Sequence, residues 1–296
     1  MIDSKLIYRC ADEVGESATW FPSMDSLLWV DITNGILHQY NVKTQEVTDH
    51  QFPDMVTSIV PWKGHDTEII LPMKNRCIAY DLQSRTWENL VDFKTLTPNF
   101  RTNDCKASPE GRIWCGIMHM SEHDGNASLY CVDNDLTIRE VLGGQCIPNG
   151  MVWNAEGNRF FYADSGRGCI EEYAYERANG TVRFVRTAVT VPAEMGVPDG
   201  MTIDAEGNLW VCHWGGSAVC VWNPETGEMI DMIELPAPNP ASCTFGGPEQ
   251  NQLFITTATC GMTPEELAQY PLSGSLFVAE VTVGHGQNHY PFQLEK

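Results

Sequence analysis

The chain has 296 residues, with 39 Asp and Glu against 18 Lys and Arg, and a formal net charge of −21. Its scattered basic residues form no stripe that could track nucleic-acid phosphates, and an anionic membrane surface would repel it. Charged residues make up 19% and hydrophobic ones 43%, the balance of a folded chain and not of a disordered acidic tail.

The first predicted element is a strand over 5–10. After it the chain repeats a unit made of an apolar strand, a turn carrying Pro, Gly, Asp or Asn, and a second strand rich in aromatic and β-branched residues. The copies span 18–31, 59–70, 105–114, 151–161, 201–210 and 243–254. Aligning Leu28, Ile69, Ile113, Phe160, Leu209 and Leu253 gives successive separations of 41, 44, 47, 49 and 44. A third strand follows each copy, over 36–40, 77–80, 128–132, 170–173, 218–222 and 275–278. The best short helix is predicted over 263–269, capped by Thr263 with Pro264 at its first position.

Six units of about four strands predict an all-β fold, a six-bladed β-propeller with four-stranded blades around a central metal-containing channel, in preference to a sandwich or a solenoid. The strand over 5–10 would complete the last blade, closing the ring and removing a sheet edge. With no linker, low-complexity tract or charge block, residues 1–296 read as a single domain.

In a propeller the innermost strands converge on the channel. Counting back 10 to 12 positions from the six aligned residues gives Glu16, Ser58, Asn103, Asn149, Asp199 and Ser242, all polar ahead of apolar strands. Taken singly, Asn149-Gly150 and Asp199-Gly200 also read as turn dipeptides; a polar residue at the same place in six blades reads as a shared site. Glu16, Asn149 and Asp199 form a hard-oxygen set suited to one divalent cation, with positions left open for water and substrate.

Other templates fail. There is no Gly-x-Ser-x-Gly elbow, His-Glu-x-x-His pair, phosphate loop or Gly-x-Gly-x-x-Gly, so no organic cofactor is expected. Asp133-Asn-Asp135 reads as a turn. His119, His123 and His213 fall near blade loops as scattered single histidines. The 11 cysteines include no Cys-x-x-Cys and sit mostly in apolar runs, such as those around Cys115 and Cys220, which predicts buried reduced thiols. No apolar run approaches a membrane span, and residues 1–5 lack the start of a signal peptide, so a cytoplasmic location is expected.

These motifs, in order, resemble those of the senescence-marker-protein / gluconolactonase / luciferin-regenerating-enzyme family, of which regucalcin-like sugar lactonases are part. Gly15-Glu-Ser-Ala-Thr-Trp20 with Leu28-Trp-Val-Asp-Ile32 is similar to its Gly-Glu-Gly-Pro-x-Trp opening, with Ser17-Ala18 in place of Gly-Pro. Arg101-Thr-Asn-Asp104, Gly116-Ile-Met118, Asn149-Gly150, Tyr162-Ala-Asp164, Pro198-Asp-Gly200, Trp214-Gly-Gly216 and Phe245-Gly-Gly-Pro248 complete the set.

The resemblance implies one divalent metal (Ca, Zn, Mn, Mg or Fe(II)) held at Glu16, Asn149 and Asp199. It implies substrate contacts at Arg101 and Asn103, and from the loop after Met118 at Glu122. The implied reaction is hydrolysis of a small-molecule sugar lactone to the aldonic acid, with Asp199 as general base. Three alternatives stay open: a calcium-binding propeller without catalysis, another hydrolase such as a phosphotriesterase-like enzyme, and a protein-interaction propeller.

Overall fold

Apart from the first, the strands pair with their sequence neighbours, as expected where short turns join antiparallel strands. In the computed structural model, which describes residues 2–93, 98–122, 125–282, 285–287 and 289–295, they form six four-stranded antiparallel sheets. Strand β1 (Ser4–Tyr8) precedes the first blade, which comprises β2 (Gly15–Phe21), β3 (Ser26–Asp31), β4 (Ile36–Asn41) and β5 (Val47–Gln51). The second holds β6 (Val60–Pro61), β7 (Glu68–Met73), β8 (Arg76–Asp81) and β9 (Trp87–Asp92). The third holds β10 (Phe100–Ala107), β11 (Ile113–His119), β12 (Ala127–Val132) and β13 (Ile138–Gln145). The fourth holds β14 (Pro148–Trp153), β15 (Arg159–Asp164), β16 (Cys169–Glu176) and β17 (Thr181–Thr190). The fifth holds β18 (Val197–Ile203), β19 (Leu209–Trp214), β20 (Ala218–Asn223) and β21 (Glu228–Glu234). The sixth holds β22 (Asn239–Gly246), β23 (Gln252–Ala258) and β24 (Leu276–Glu280), and β1 is its fourth strand.

That last pairing is the expected ring closure. Leu6 lies opposite Phe277 and Lys5 opposite Val278, so the N-terminal segment is bonded to the C-terminal blade. The helix α1 (Pro264–Gln269) also forms as expected: Thr263 accepts from the Glu266 amide and the Glu266 side chain accepts from Thr263 in return.

The apolar residues form a ring of six clusters, one at each blade junction, because each sheet is buried on both faces. On β3, Leu28 and Val30 pack toward the second blade, while Leu27 and Trp29 pack toward the sixth. On β19, Leu209 and Val211 face the fourth blade, while Trp210 and Cys212 face the sixth. This explains why the middle strands read as continuous apolar runs instead of alternating ones. Eight of the 11 cysteines are buried, as expected, and Cys260 is exposed.

The far end of the channel is covered by the C-terminal segment. Phe292 is fully buried and bonded into the second blade, its amide to Pro61 O (2.7 Å) and its carbonyl from the Lys63 amide (2.9 Å). Ala205 N donates to His285 O (2.8 Å), and Gln293 N donates to Gly111 O (2.9 Å), so this segment ties blades two, three and five together.

Candidate active site

Five of the six inner strands break their regular pairing at or beside the positions the repeat singles out. On β2, Glu16 faces Val30 but Thr19 faces Leu28, so three steps on one strand meet two on the other. On β10 the break lies between Thr102 and Cys105, on β14 between Asn149 and Met151, on β18 between Pro198 and Met201, and on β22 between Pro240 and Ser242. A bulge re-aims side chains out of the sheet's alternation. Here it bends buried polar residues toward the channel from strands that otherwise bury apolar ones.

Asn149-Gly150 and Asp199-Gly200 therefore sit inside strands, not in turns. Their glycines serve close approach between neighbouring inner strands. A Cβ on Gly150 would stand 2.3 Å from Asp199 O, and one on Gly200 would stand 2.6 Å from Ala241 O.

Bonds within each blade and to the next hold these residues in place. Asn149 Nδ2 donates to Ser165 Oγ (3.1 Å), and Ser165 Oγ donates to Pro198 O (2.8 Å), so the amide oxygen of Asn149 is left on the open side. Glu16 Oε2 accepts from the Ser17 amide at 2.9 Å. Ser17 occupies a left-handed conformation (φ 54°), where the family motif carries glycine. Its Oγ accepts from the Ile59 amide at 2.8 Å and bonds Ser58 Oγ at 3.0 Å, linking blades one and two. Ser58 Oγ in turn accepts from the Cys105 amide (3.0 Å), and Ser242 Oγ from the Ala18 amide (3.1 Å). Ser58 and Ser242 thus act as ring ties.

Arg101 Nη1 donates to Asn103 Oδ1 (2.6 Å) and to Thr102 O (3.0 Å), while Asn103 Nδ2 donates to Pro148 O (2.9 Å). Glu122 is exposed, with φ 56°, and its charge acts on Arg101 together with those of Glu16 and Asp199. Arg101 is pulled below its ordinary value by burial, which those carboxylates oppose. His123, in the same loop as Glu122, lies outside the described residues. His213 belongs to the packing: fully buried, stacked on Trp222 and held to about 4 by burial.

The carboxylates carry the strain of this arrangement. Glu16 is pushed up to about 8 by burial and by the charge of Asp104. Asp199 is pushed well above the usual carboxylate range by burial, then by Glu16 and Asp104. Asp104, itself raised by burial, was not singled out by counting one residue per blade, because the β10 bulge carries Asn103 and Asp104 in succession. Ser165 carries no sequence signal as a support for Asn149.

Buried polar atoms are nearly always paired. Here Asn149 Oδ1, Asp199 Oδ1 and Asp104 Oδ2 are buried without a hydrogen-bond partner. Free acceptors beside mutually repelling carboxylates fit a divalent cation, and hard oxygen donors are what such a cation prefers. Among the described residues no three His, Cys, Asp or Glu side chains group tightly enough to hold a metal by themselves.

A family model described as "SMP-30/Gluconolactonase/LRE-like region" matches residues 14–259. The "Putative sugar lactone lactonase YvrE" of Bacillus subtilis (strain 168) is 33% identical over 279 residues, covering 94% of each chain. Regucalcin of Danio rerio is 32% identical over 278 residues, covering 93% of each. The solved structure of a calcium-binding protein, regucalcin, from Agrobacterium tumefaciens superposes with a TM-score of 0.92 at 20% identity and covers 99% of both chains, a likeness of fold. Motifs, propeller and family match agree, and the chain belongs to the SMP-30/gluconolactonase/LRE-like family.

Proposed function

We propose that the protein hydrolyses a sugar lactone to its aldonic acid with the help of one divalent cation and no organic cofactor. The observation that carries this reading is the meeting of unsatisfied buried acceptors, Asn149 Oδ1 and Asp199 Oδ1, with the guanidinium of Arg101 in one channel mouth. The Bacillus subtilis relative named "Putative sugar lactone lactonase YvrE", at 33% identity, supports the substrate class.

Glu16, Asn149 and Asp199 would hold the cation. When bound, it would supply Lewis acidity toward the lactone carbonyl and lower the pKa of a water. Asp199 takes a proton from the attacking water as that water adds to the carbonyl carbon. The ring C–O bond then breaks, and Asp199 returns the proton to the departing ring oxygen. Arg101 donates to oxygen that gains charge at the carbonyl, and it stays protonated throughout. Asn103 holds Arg101 and keeps one amide hydrogen for a sugar hydroxyl. Glu122, at the rim, faces the same incoming sugar.

A cation buffer would gain nothing from an arginine beside its ion, which favours turnover over storage. The test is a panel of aldonolactones followed by pH-stat, with Ca, Zn, Mn, Mg or Fe(II) added and with chelator. Turnover that chelator stops, and that Asp199→Ala abolishes without loss of the fold, is the expected result. No turnover of any lactone with any of these cations would leave a binding role instead.

A further inference from the structure

We propose that Lys106 matches the site to a doubly charged cation, by holding a fixed positive charge beneath the carboxylates from across the channel. The inference rests on the metal-site reading above. Lys106 stands on β10 two residues beyond Asp104, and its Nζ donates to Met201 O at 2.5 Å, on β18 two residues beyond Asp199. These strands belong to the third and fifth blades. The side chain therefore passes beneath β14 of the fourth blade and joins the strands of two site carboxylates.

The ammonium is partly buried. Lys106 lines a cavity of about 40 Å³ with Thr202 and Ile203, and with Gln287 and His289 of the C-terminal segment. His289 adds no second charge there: burial and Lys106 hold it down to about 3. Both Glu16 and Asp104 feel the charge of Lys106, although neither bonds to it directly. Lys106 thus acts by its charge and position, not by touching the ion.

The charge count gives the consequence. With the carboxylates ionised around a bound cation, Glu16, Asp104 and Asp199 contribute three negative charges, and Arg101 and Lys106 two positive ones, so the set presents one net negative charge to the ion. A divalent ion leaves one surplus positive charge and a trivalent ion leaves two. Removing Lys106 should strengthen binding of both ions. A fixed charge acts on an ion in proportion to the ion's charge, so the gain in log Kd should stand in the ratio two to three.

The experiment is titration calorimetry of the full chain with manganese(II) chloride and with terbium(III) chloride, alongside thermal melts that report folding. For Lys106→Met we expect Kd to fall about tenfold for manganese and about thirtyfold for terbium, the proportion that charge scaling requires. Lys106→Arg, which keeps the charge, should stay within about twofold of the parent for both, on the same reasoning. Asp104→Asn should weaken both ions in the same two-to-three ratio, and it carries the test if Lys106→Met does not fold. An unchanged preference between the ions in Lys106→Met or in Asp104→Asn overturns the proposal and leaves Lys106 as a tether for β18. If the parent binds both ions and Asp199→Asn abolishes this, such a result sinks only the charge-matching role. If the parent binds neither ion, the metal-site reading falls, and this inference with it.

Discussion

Arg101 and Asn103 work as a pair: Nη1 of the first lies 2.6 Å from Oδ1 of the second, and Asn103 Nδ2 is itself anchored on Pro148 O at 2.9 Å. The guanidinium is thereby referenced to the fourth blade although it grows from the third. Asn103→Ala should release it and cost about a hundredfold in kcat/KM, the scale on which misplaced catalytic groups lose rate. If Asn103 acts mainly through Arg101, the Arg101→Ala/Asn103→Ala double variant should be no worse than Arg101→Ala alone. Lactone kinetics on the four proteins check this; additive losses would mean that Asn103 meets substrate on its own account.

Ser165 does for Asn149 what Asn103 does for Arg101. By accepting from Asn149 Nδ2 at 3.1 Å while donating to Pro198 O at 2.8 Å, it decides which end of the amide faces the channel. Ser165→Ala should let the amide turn and should weaken divalent-ion affinity about tenfold to a hundredfold, the usual loss when a ligand's own support is removed. Stability should fall by only about 1 kcal/mol for the lost hydrogen bonds. Calorimetric titration with manganese(II), beside a thermal melt, separates the two effects.

Much of the fold was legible because the repeat equates positions that lie far apart in the chain. One aligned apolar residue per blade leads back to Glu16, Asn149 and Asp199, and the structure buries all three together. The same counting misses Asp104, because it presumes one channel residue per blade while the bulge on β10 supplies two. It also misses bonds between blades: Ser165 to Pro198 spans 33 positions and Lys106 to Met201 spans 95, with no periodicity to mark either. Glu122 was named from resemblance alone, since its loop has no counterpart in the repeat.

Ser17 shows how one departure from the family motif is accommodated. A non-glycine residue at φ 54° carries a cost of about 1–2 kcal/mol from the clash of Cβ with backbone. Its hydroxyl offsets this through the Ile59 amide and Ser58 Oγ. Ser17→Gly, which removes both strain and bonds, should change stability by less than about 1 kcal/mol. Ser17→Ala keeps the strain and loses the bonds, so it should cost about 2 kcal/mol. Urea denaturation of the parent and both variants is the measurement: equal stabilities of the two variants would remove the strain, and a Ser17→Ala as stable as the parent would remove the hydroxyl's compensating role.

His38 links the ring closure to pH. It is buried and stacked on Trp29, with Nδ1 at 2.7 Å from Asp49 Oδ1 and Nε2 at 3.3 Å from Asp12 Oδ1. Asp12 also accepts from Trp29 Nε1 at 2.8 Å, and its amide donates to Gly274 O at 3.1 Å, so it ties the first blade to the sixth. Burial alone would lower the imidazole, but Asp12 and Asp49 outweigh it and the net direction is upward from 6.5. A raised folded value favours folding while the ring is charged, so the contribution is complete below pH 6.5 and fades as pH rises through the higher folded value. His38→Gln should therefore lower Tm at pH 6 by about 3–6 °C, the shift expected from one lost buried charged hydrogen bond in a chain this long. By pH 9 the gap between parent and variant should have narrowed, because the parent has by then lost the same charge. Thermal melts across that range decide it, and a gap that stays constant would assign His38 to packing against Trp29 alone.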